Sequence, residues 1–165
     1  IIRDPRDIVV SLSHFAGGSV DQVINEMLYS QKLMTKTNGA KELLSTWDLH
    51  IASWLQYKNV SRLVIKYEDL LNNTKENVSQ VFDFLNKVTQ NKIFSKTINV
   101  EKIIQNTSIY NLKKEENLYG FEEASKYSNF FRSGTAKQWK EVLNIEQIKL
   151  IEKKLYVLMK KFNYV

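Results

Sequence analysis

Apolar positions recur at three- and four-residue spacing over most of this 165-residue chain, a period that predicts amphipathic helices. Ile8, Leu12 and Phe15 share one helical face, with Asp7, Ser11 and His14 on the adjoining stripe. Asp4 is a good N-cap ahead of Pro5 at the first helical position, and Asp7 stands where a capping-box carboxylate reaches back. This helix is therefore expected to start at Pro5 and to end at Gly17-Gly18. A second helix is predicted over residues 20–32 from Val23, Ile24, Met27 and Leu28, followed by a polar loop through Asn38-Gly39 suited to an insertion or a lid. Leu43, Leu44, Trp47, Ile51, Trp54 and Leu55 then predict a core helix over residues 42–57, with both tryptophans on its buried face and His50 a partly buried neighbour.

The period changes at residues 62–67. Arg62-Leu63-Val64-Ile65-Lys66-Tyr67 is a short, almost unbroken apolar run, as expected of a parallel strand buried on both faces. Thr74 can cap a following helix carrying Val78, Val81, Phe82 and Leu85. Residues 100–104 and 108–119 read as short helices, and residues 127–134 as a loop. Asn144 with Gln147 caps a last helix whose apolar face is Ile148, Ile151, Leu155, Leu158 and Phe162. Helix, strand and helix in alternation favour an α/β fold with a small sheet, in one domain over residues 1–165.

Composition narrows the chemistry. Hydrophobic residues make up 43% of the chain, enough for one real core. Without cysteine there is no disulfide framework and no thiolate metal site, and two histidines cannot build a zinc site of the common kinds, so no metal is expected. No apolar run approaches the roughly 20 residues that span a bilayer. A net charge of +6 favours anionic partners, but the lysines are scattered or paired over polar helix faces, and nucleic acid is not expected. Asn-x-Ser/Thr triplets at Asn59, Asn72, Asn77 and Asn106 keep the secretory lumen as the alternative to a cytoplasmic setting. The chain opens inside an apparent strand, Ile1-Ile2, and is expected to be the later part of a longer protein.

Three places could carry chemistry. Arg3 stands between a strand end and a helix N-terminus, where open α/β sheets bind anions; the plain reading is a surface arginine beside an ordinary cap. Tyr67, at the expected strand end, offers a flat face to a purine; more commonly such a tyrosine is a core residue with a partnered hydroxyl. Arg132, Ser133 and Gly134 could wrap an anion with guanidinium and backbone N–H groups, the glycine allowing close approach; alone they are a basic turn.

Together these segments stop being generic. Arg3-Asp4-Pro5-Arg6-Asp7 with Ser11, Trp54 ahead of Lys66-Tyr67-Glu68-Asp69-Leu70, Asn106-Thr107-Ser108, Tyr119-Gly120-Phe121, and Phe131-Arg132-Ser133-Gly134 with Trp139-Lys140 occur in the order found in sulfotransferases. The chain resembles the soluble, cytosolic-type family that uses 3′-phosphoadenosine 5′-phosphosulfate (PAPS). The resemblance implies a three-layer, P-loop-like α/β fold, a parallel sheet flanked by helices, here incomplete at the N-terminus. It also implies sulfuryl transfer to the hydroxyl or amine of a small-molecule or glycan acceptor, leaving adenosine 3′,5′-bisphosphate. Arg3 and Ser11 would hold the 3′-phosphate from one side and Arg132, Ser133 and Gly134 from the other, with Tyr67 and Thr107 on the adenine. Ser133 stands where many members have lysine, Ile109 where an aromatic often packs on adenine, and Lys137-Gln138 where Gly-Asp is common. Asn144, Ile145 and Lys149 leave the family's dimer segment unsupported, so the oligomeric state stays open.

The family's glycine-rich loop with its lysine, and its catalytic histidine, would lie upstream of Ile1. The chain would then be the carboxyl-terminal two-thirds of the enzyme, without catalytic residues and inactive alone; His14 and His50 are not expected to be catalytic. Two other readings remain at this point: a nucleotide kinase-like P-loop relative, and a basic helical module that binds nucleic acid or a protein partner.

Overall fold

A computed structural model describes residues 1–30, 32–35, 41–90 and 98–165. In chain order the elements are α1 (Pro5–Ala16), α2 (Val20–Tyr29), β1 (Lys32–Thr35), β2 (Lys41–Leu44), α3 (Trp47–Gln56), α4 (Tyr67–Asn72), α5 (Thr74–Thr89), α6 (Val100–Asn106), α7 (Ile109–Tyr119), α8 (Trp139–Val142) and α9 (Ile145–Lys161). They divide into two compact units, Ile1–Arg3 with Val60–Ala136 (unit 1) and Asp4–Asn59 with Lys137–Val165 (unit 2). The loop expected through Asn38-Gly39 lies outside the described residues.

Unit 2 is a helical layer. α1 packs on α2, α8 and α9, and α2 also packs on α3 and α9. Val23, Ile24, Met27 and Leu28 of α2 are buried as their spacing requires, against a core that includes Val9, Val10, Ile151, Leu155 and Met159. The Asn144 capping box starts α9: its side chain accepts from Gln147 N at 2.9 Å and its own N–H donates back to Gln147 Oε1 at 3.0 Å. Gly17 closes α1 with φ 65°, a left-handed position that glycine takes without strain.

Three expectations fail in this unit. The inward face of α1 is Arg6, Asp7, Val9 and Val10, whereas Leu12 and Phe15 are about 40% exposed. Arg6 and Asp7 are drawn inside by their own bonds, which a pattern scored on hydrophobicity cannot register. Residues 41–44 do not begin α3; they pair antiparallel with β1, with Leu33 opposite Leu43 and Met34 opposite Glu42. Leu43-Leu44 fits a helix stripe and a strand equally well. α3 buries Trp47 and Ile51 but leaves Trp54 68% exposed, and His50 is exposed too.

Unit 1 runs from α4 to α7, each helix packing on the next. The parallel sheet reduces to one bridge, in which Ile2 N donates to Ile65 O at 2.8 Å and Tyr67 N donates to Ile2 O at 2.7 Å. Residues 62–67 therefore do not form the doubly buried strand expected. Ile65 is buried, Val64 is 42% exposed, and Tyr67 already opens α4. The run makes one parallel bridge and no longer ladder among the described residues, with Lys66 still extended. Ile2 and Ile65 are the buried apolar side chains among the described residues of unit 1, so buried polar groups hold much of its local form. Asn77 is one: its Nδ2 donates to Asp69 O at 3.0 Å and Asn73 O at 2.9 Å, tying α5 to the end of α4. An amide so used is a structural group rather than an available glycosylation acceptor.

Candidate functional site

The two arginine segments singled out in the sequence meet inside unit 1. Arg3 Nη2 donates to the Thr135 carbonyl at 3.3 Å across 132 positions of chain. The Arg3 guanidinium also lies over the Tyr67 ring, 4.3 Å from its centroid, within the distance of a favourable cation–π contact. The bridge between Ile2 and residues 65–67 places Arg3 beside Tyr67, because it fixes the backbone next to both residues. One ring face of Tyr67 thus serves Arg3, a contact that its assignment to adenine did not anticipate.

The facing loop is shaped from below. Ser133 and Thr135 share a 2.6 Å hydroxyl hydrogen bond. Gly134 has φ +68°, and a Cβ added there would sit 2.9 Å from Ile109 Cγ1. Its freedom is used for a left-handed turn and for close contact with α7, where sequence reasoning assigned it to a ligand. Ile109, at the position of an adenine-stacking aromatic in the resemblance, abuts that turn.

Upstream, the Glu116 carboxylate accepts from Phe130 N at 2.6 Å and Phe131 N at 3.0 Å. Glu116 is only 7% exposed. Phe121, Phe130 and Phe131 pack with ring centroids 4.8 to 5.2 Å apart. Sequence reasoning missed Glu116, whose one signal was an acid at helical spacing from Ile109 and ahead of an apolar Phe-Phe pair.

The remaining assigned residues are less engaged. Thr107 is an exposed C-cap of α6 whose hydroxyl donates to Ile103 O at 2.8 Å. Arg132 is half-buried, and its N–H donates to Phe130 O at 3.0 Å. Ser11 is half-buried on α1 in unit 2; His14 on the same helix is exposed.

The Arg-Asp-Pro-Arg-Asp segment does a second job in unit 2. Arg6, 5% exposed, makes a fork with Asp4, its Nη2 2.7 Å from Oδ2 and its Nε 3.0 Å from Oδ1. It also donates to the Tyr164 carbonyl at 2.8 Å, pairs with Glu152, and stacks 3.9 Å from the Trp139 ring centroid. Burial works against its charge, but the bonds and charge of Asp4, then those of Glu152, outweigh burial and raise its pKa above the ordinary arginine value. Asp7 is not a capping-box residue: its carboxylate accepts from Lys137 N at 2.6 Å and Trp139 N at 3.0 Å. Asp4 alone caps α1, accepting from Arg6 N at 2.9 Å.

Unit 2 also has an open cleft of about 340 Å³ lined by Asp21, Ile24, Tyr29 and Leu150 among others, none of them assigned from sequence. Among the described residues no group of three His, Cys, Asp or Glu could hold a metal ion, and no helix is long and apolar enough to cross a membrane.

The chain is similar to several known proteins. The amine sulfotransferase of Oryctolagus cuniculus is 24% identical over 170 residues, covering 98% of this chain and 54% of the relative. Sulfotransferase 1C2 of Homo sapiens is 26% identical over 159 residues, covering 89% and 49%. Retinol dehydratase, solved in complex with androsterone and the inactive cofactor PAP, superposes with a TM-score of 0.66 at 19% identity over 96% of this chain and 46% of that one. This likeness supplies the overall fold, although a single parallel bridge and one hairpin are the sheet structure among the described residues. The chain spans about half the length of the curated relatives it matches. The family description "Sulfotransferase domain" matches residues 1–163, and the chain belongs to the sulfotransferase family.

Proposed function

We propose that this chain is the nucleotide 3′-phosphate-binding part of a PAPS-dependent sulfotransferase acting on the hydroxyl or amine of a small molecule. The observation that carries the reading is the bond from Arg3 Nη2 to the Thr135 carbonyl, which puts a cation against the loop that holds Arg132, Ser133 and Gly134. The donor set fits a phosphate dianion: guanidinium groups match its oxygens in charge and planar geometry, and the Ser133 and Thr135 hydroxyls add donors. Bound PAPS would supply the activated sulfuryl group. The residues of this chain bind and orient: Arg3, with Ser11 as the resemblance assigns it, and Arg132 with the 133–134 backbone would grip the 3′-phosphate, while Tyr67 and Thr107 would face the adenine. Catalytic residues are not assigned to this chain.

The small-molecule acceptor rests on one relative whose name specifies an amine and on a structural neighbour holding androsterone. That units 1 and 2 form one sulfotransferase domain is part of the same proposal, supported by the continuous family match. So is a cytoplasmic setting, which suits a chain without cysteine.

The test is calorimetric titration of the protein with adenosine 3′,5′-bisphosphate and with 5′-AMP. A charge-assisted bond contributes about 1.5–3 kcal/mol, so each arginine accounts for roughly 10- to 150-fold in affinity. The bisphosphate should bind at least about 10-fold more tightly than 5′-AMP, and Arg3→Ala and Arg132→Ala should each erode that preference while leaving 5′-AMP binding unchanged. Equal affinities in the wild-type protein would refute the reading.

A further inference from the structure

We infer that Glu116 is a positioning residue for the 3′-phosphate site: it sets the loop that presents Arg132, Ser133 and Gly134, and so controls selection of a 3′-phosphorylated nucleotide. The inference rests on the nucleotide reading just given.

Ile109 and Glu116 are seven residues apart on α7, two helical turns, and therefore occupy one stripe about 10 Å long. The 130–134 loop meets this stripe at both ends. Phe130 N and Phe131 N donate to Glu116 at 2.6 and 3.0 Å, and Gly134 lies against Ile109. The loop thus runs along α7 in the opposite direction, fastened by a carboxylate at one end and by packing at the other. Arg132 and Ser133 are the residues between the two fastenings.

The polar fastening needs a carboxylate specifically. Two successive backbone N–H groups are satisfied at once because an ionised carboxyl group presents two acceptor oxygens. A glutamine presents one acceptor oxygen, and its NH₂ would face the second N–H group. Accepting at both Phe130 and Phe131 fixes the peptide plane between them, and the bond from Arg132 N to Phe130 O closes the next turn. The ring cluster of Phe121, Phe130 and Phe131 seats the same residues through their side chains. Glu116 itself is 7% exposed and has both oxygens committed to backbone, so it acts through the loop rather than as a ligand contact. A site for a compact dianion depends on angstrom-level placement of its donors, and this buried carboxylate sets it here.

Glu116→Gln tests the idea by two readouts on the full chain. Hydrogen–deuterium exchange of the Phe130 and Phe131 amides, without ligand, reports the fastening directly; calorimetry with adenosine 3′,5′-bisphosphate and 5′-AMP reports its consequence. Exchange at those two amides should accelerate at least about 10-fold, and the preference for the bisphosphate should fall roughly 10-fold with 5′-AMP affinity unchanged, as expected for one lost charge-assisted bond. A purely structural role would weaken both nucleotides equally and leave their ratio alone. Unchanged exchange, or an unchanged ratio in the variant while the wild-type protein discriminates, overturns the inference. A wild-type protein that does not discriminate instead overturns the nucleotide reading and this inference with it, so the two failures are distinct. Should Glu116→Gln fail to fold, Glu116→Asp keeps the charge on a stem one methylene shorter, too short to reach both amides, and the same two measurements decide.

Discussion

Arg6→Ala removes the most heavily bonded side chain of unit 2, and its cost can be worked from the groups left behind. Arg6 donates to Asp4 through Nε and Nη2, to the Tyr164 carbonyl through Nη2, and to Glu152 through Nη1. Asp4 suffers most. Its side chain is 8% exposed, so water cannot replace the guanidinium, although the bond from the residue-6 backbone N–H at 2.9 Å survives. The Glu152 side chain is 32% exposed and can resolvate, and the Tyr164 carbonyl lies near the chain end. A buried ion stripped of its partner costs about 3–5 kcal/mol; with Glu152 relieved by solvent, the lower half of that range applies, about 3–4 kcal/mol. At 2–4 °C per kcal/mol for a chain of this size, the midpoint of thermal unfolding should fall by roughly 10 °C.

Urea unfolding followed by circular dichroism measures this directly, and a cycle with Asp4→Asn separates the pair from the rest. Neutralising Asp4 in the Arg6→Ala background should recover at least about 1 kcal/mol, because the buried charge that lost its guanidinium is gone. Titration of Arg6 itself adds no pH dependence in the usual range. Its pKa is raised in the folded state, so its contribution is complete below the ordinary arginine value and is lost only as pH rises through the raised one. A loss under about 1 kcal/mol on Arg6→Ala would refute this account of the fork as a buried, solvent-shielded pair.

Two further outcomes follow from unit 1. Gly134→Ala meets both a left-handed φ and Ile109 Cγ1 at 2.9 Å, and should cost about 2 kcal/mol in urea unfolding; the cost should drop when measured in an Ile109→Ala background, and an identical cost in both would show that α7 does not confine the turn. The exposed pair of Lys75 and Glu101, 2.8 Å apart, raises the Lys75 pKa and lowers that of Glu101, in each case chiefly through the shared hydrogen bond. Its contribution is therefore present between the ordinary values of 4.5 and 10.5, and is lost as pH falls through the lowered Glu101 value or rises through the raised Lys75 value. The stability difference between wild type and Glu101→Gln should be small at neutral pH, shrink further in salt and vanish in strong acid; a difference that grows in acid would contradict that sign.

Helix existence was legible because a 3.6-residue period leaves a direct mark on the sequence, and capping chemistry located the starts. Asp4 with Pro5, and Asn144 with Gln147, each begin the helix their side chains predict, whereas Thr74, expected as a cap, is already the first residue of α5 and its hydroxyl donates to Leu70 O at 2.7 Å. The faces were less legible wherever a charged side chain is buried. On α1 the apolar stripe of Ile8, Leu12 and Phe15 competes with Arg6 and Asp7, and the pair with bonds waiting inside wins that face. An ion that is fully bonded behaves in packing like an apolar group, and hydropathy assigns it to water. Strand content failed for a different reason. Pairing is a property of two segments at once, and neither the 62–67 run nor Leu43-Leu44 states which partner it has.

The same asymmetry explains why the anion-site residues were visible while their supports were not. Arg3 and Arg132 stand out because an arginine beside a helix cap or a glycine is unusual chemistry for a surface, and Arg3 reaches the Thr135 carbonyl in the loop that carries Arg132. Glu116 carries no such mark: a glutamate in Lys113-Lys114-Glu115-Glu116 reads as one more solvated charge. Burial makes it structural, and its carboxylate is met by the backbone N–H groups of Phe130 and Phe131 from positions further along the chain. In a unit whose buried apolar side chains among the described residues are Ile2 and Ile65, packing of such residues alone does not account for how the loops are held. Carboxylate-to-amide bonds of the kind Glu116 makes are then the economical way to fix a ligand-facing backbone, because each ion satisfies two N–H groups in one step. Within unit 1, selection of the nucleotide should accordingly be more sensitive to Glu116, which touches no ligand, than to exposed Thr107, which the resemblance places on the adenine.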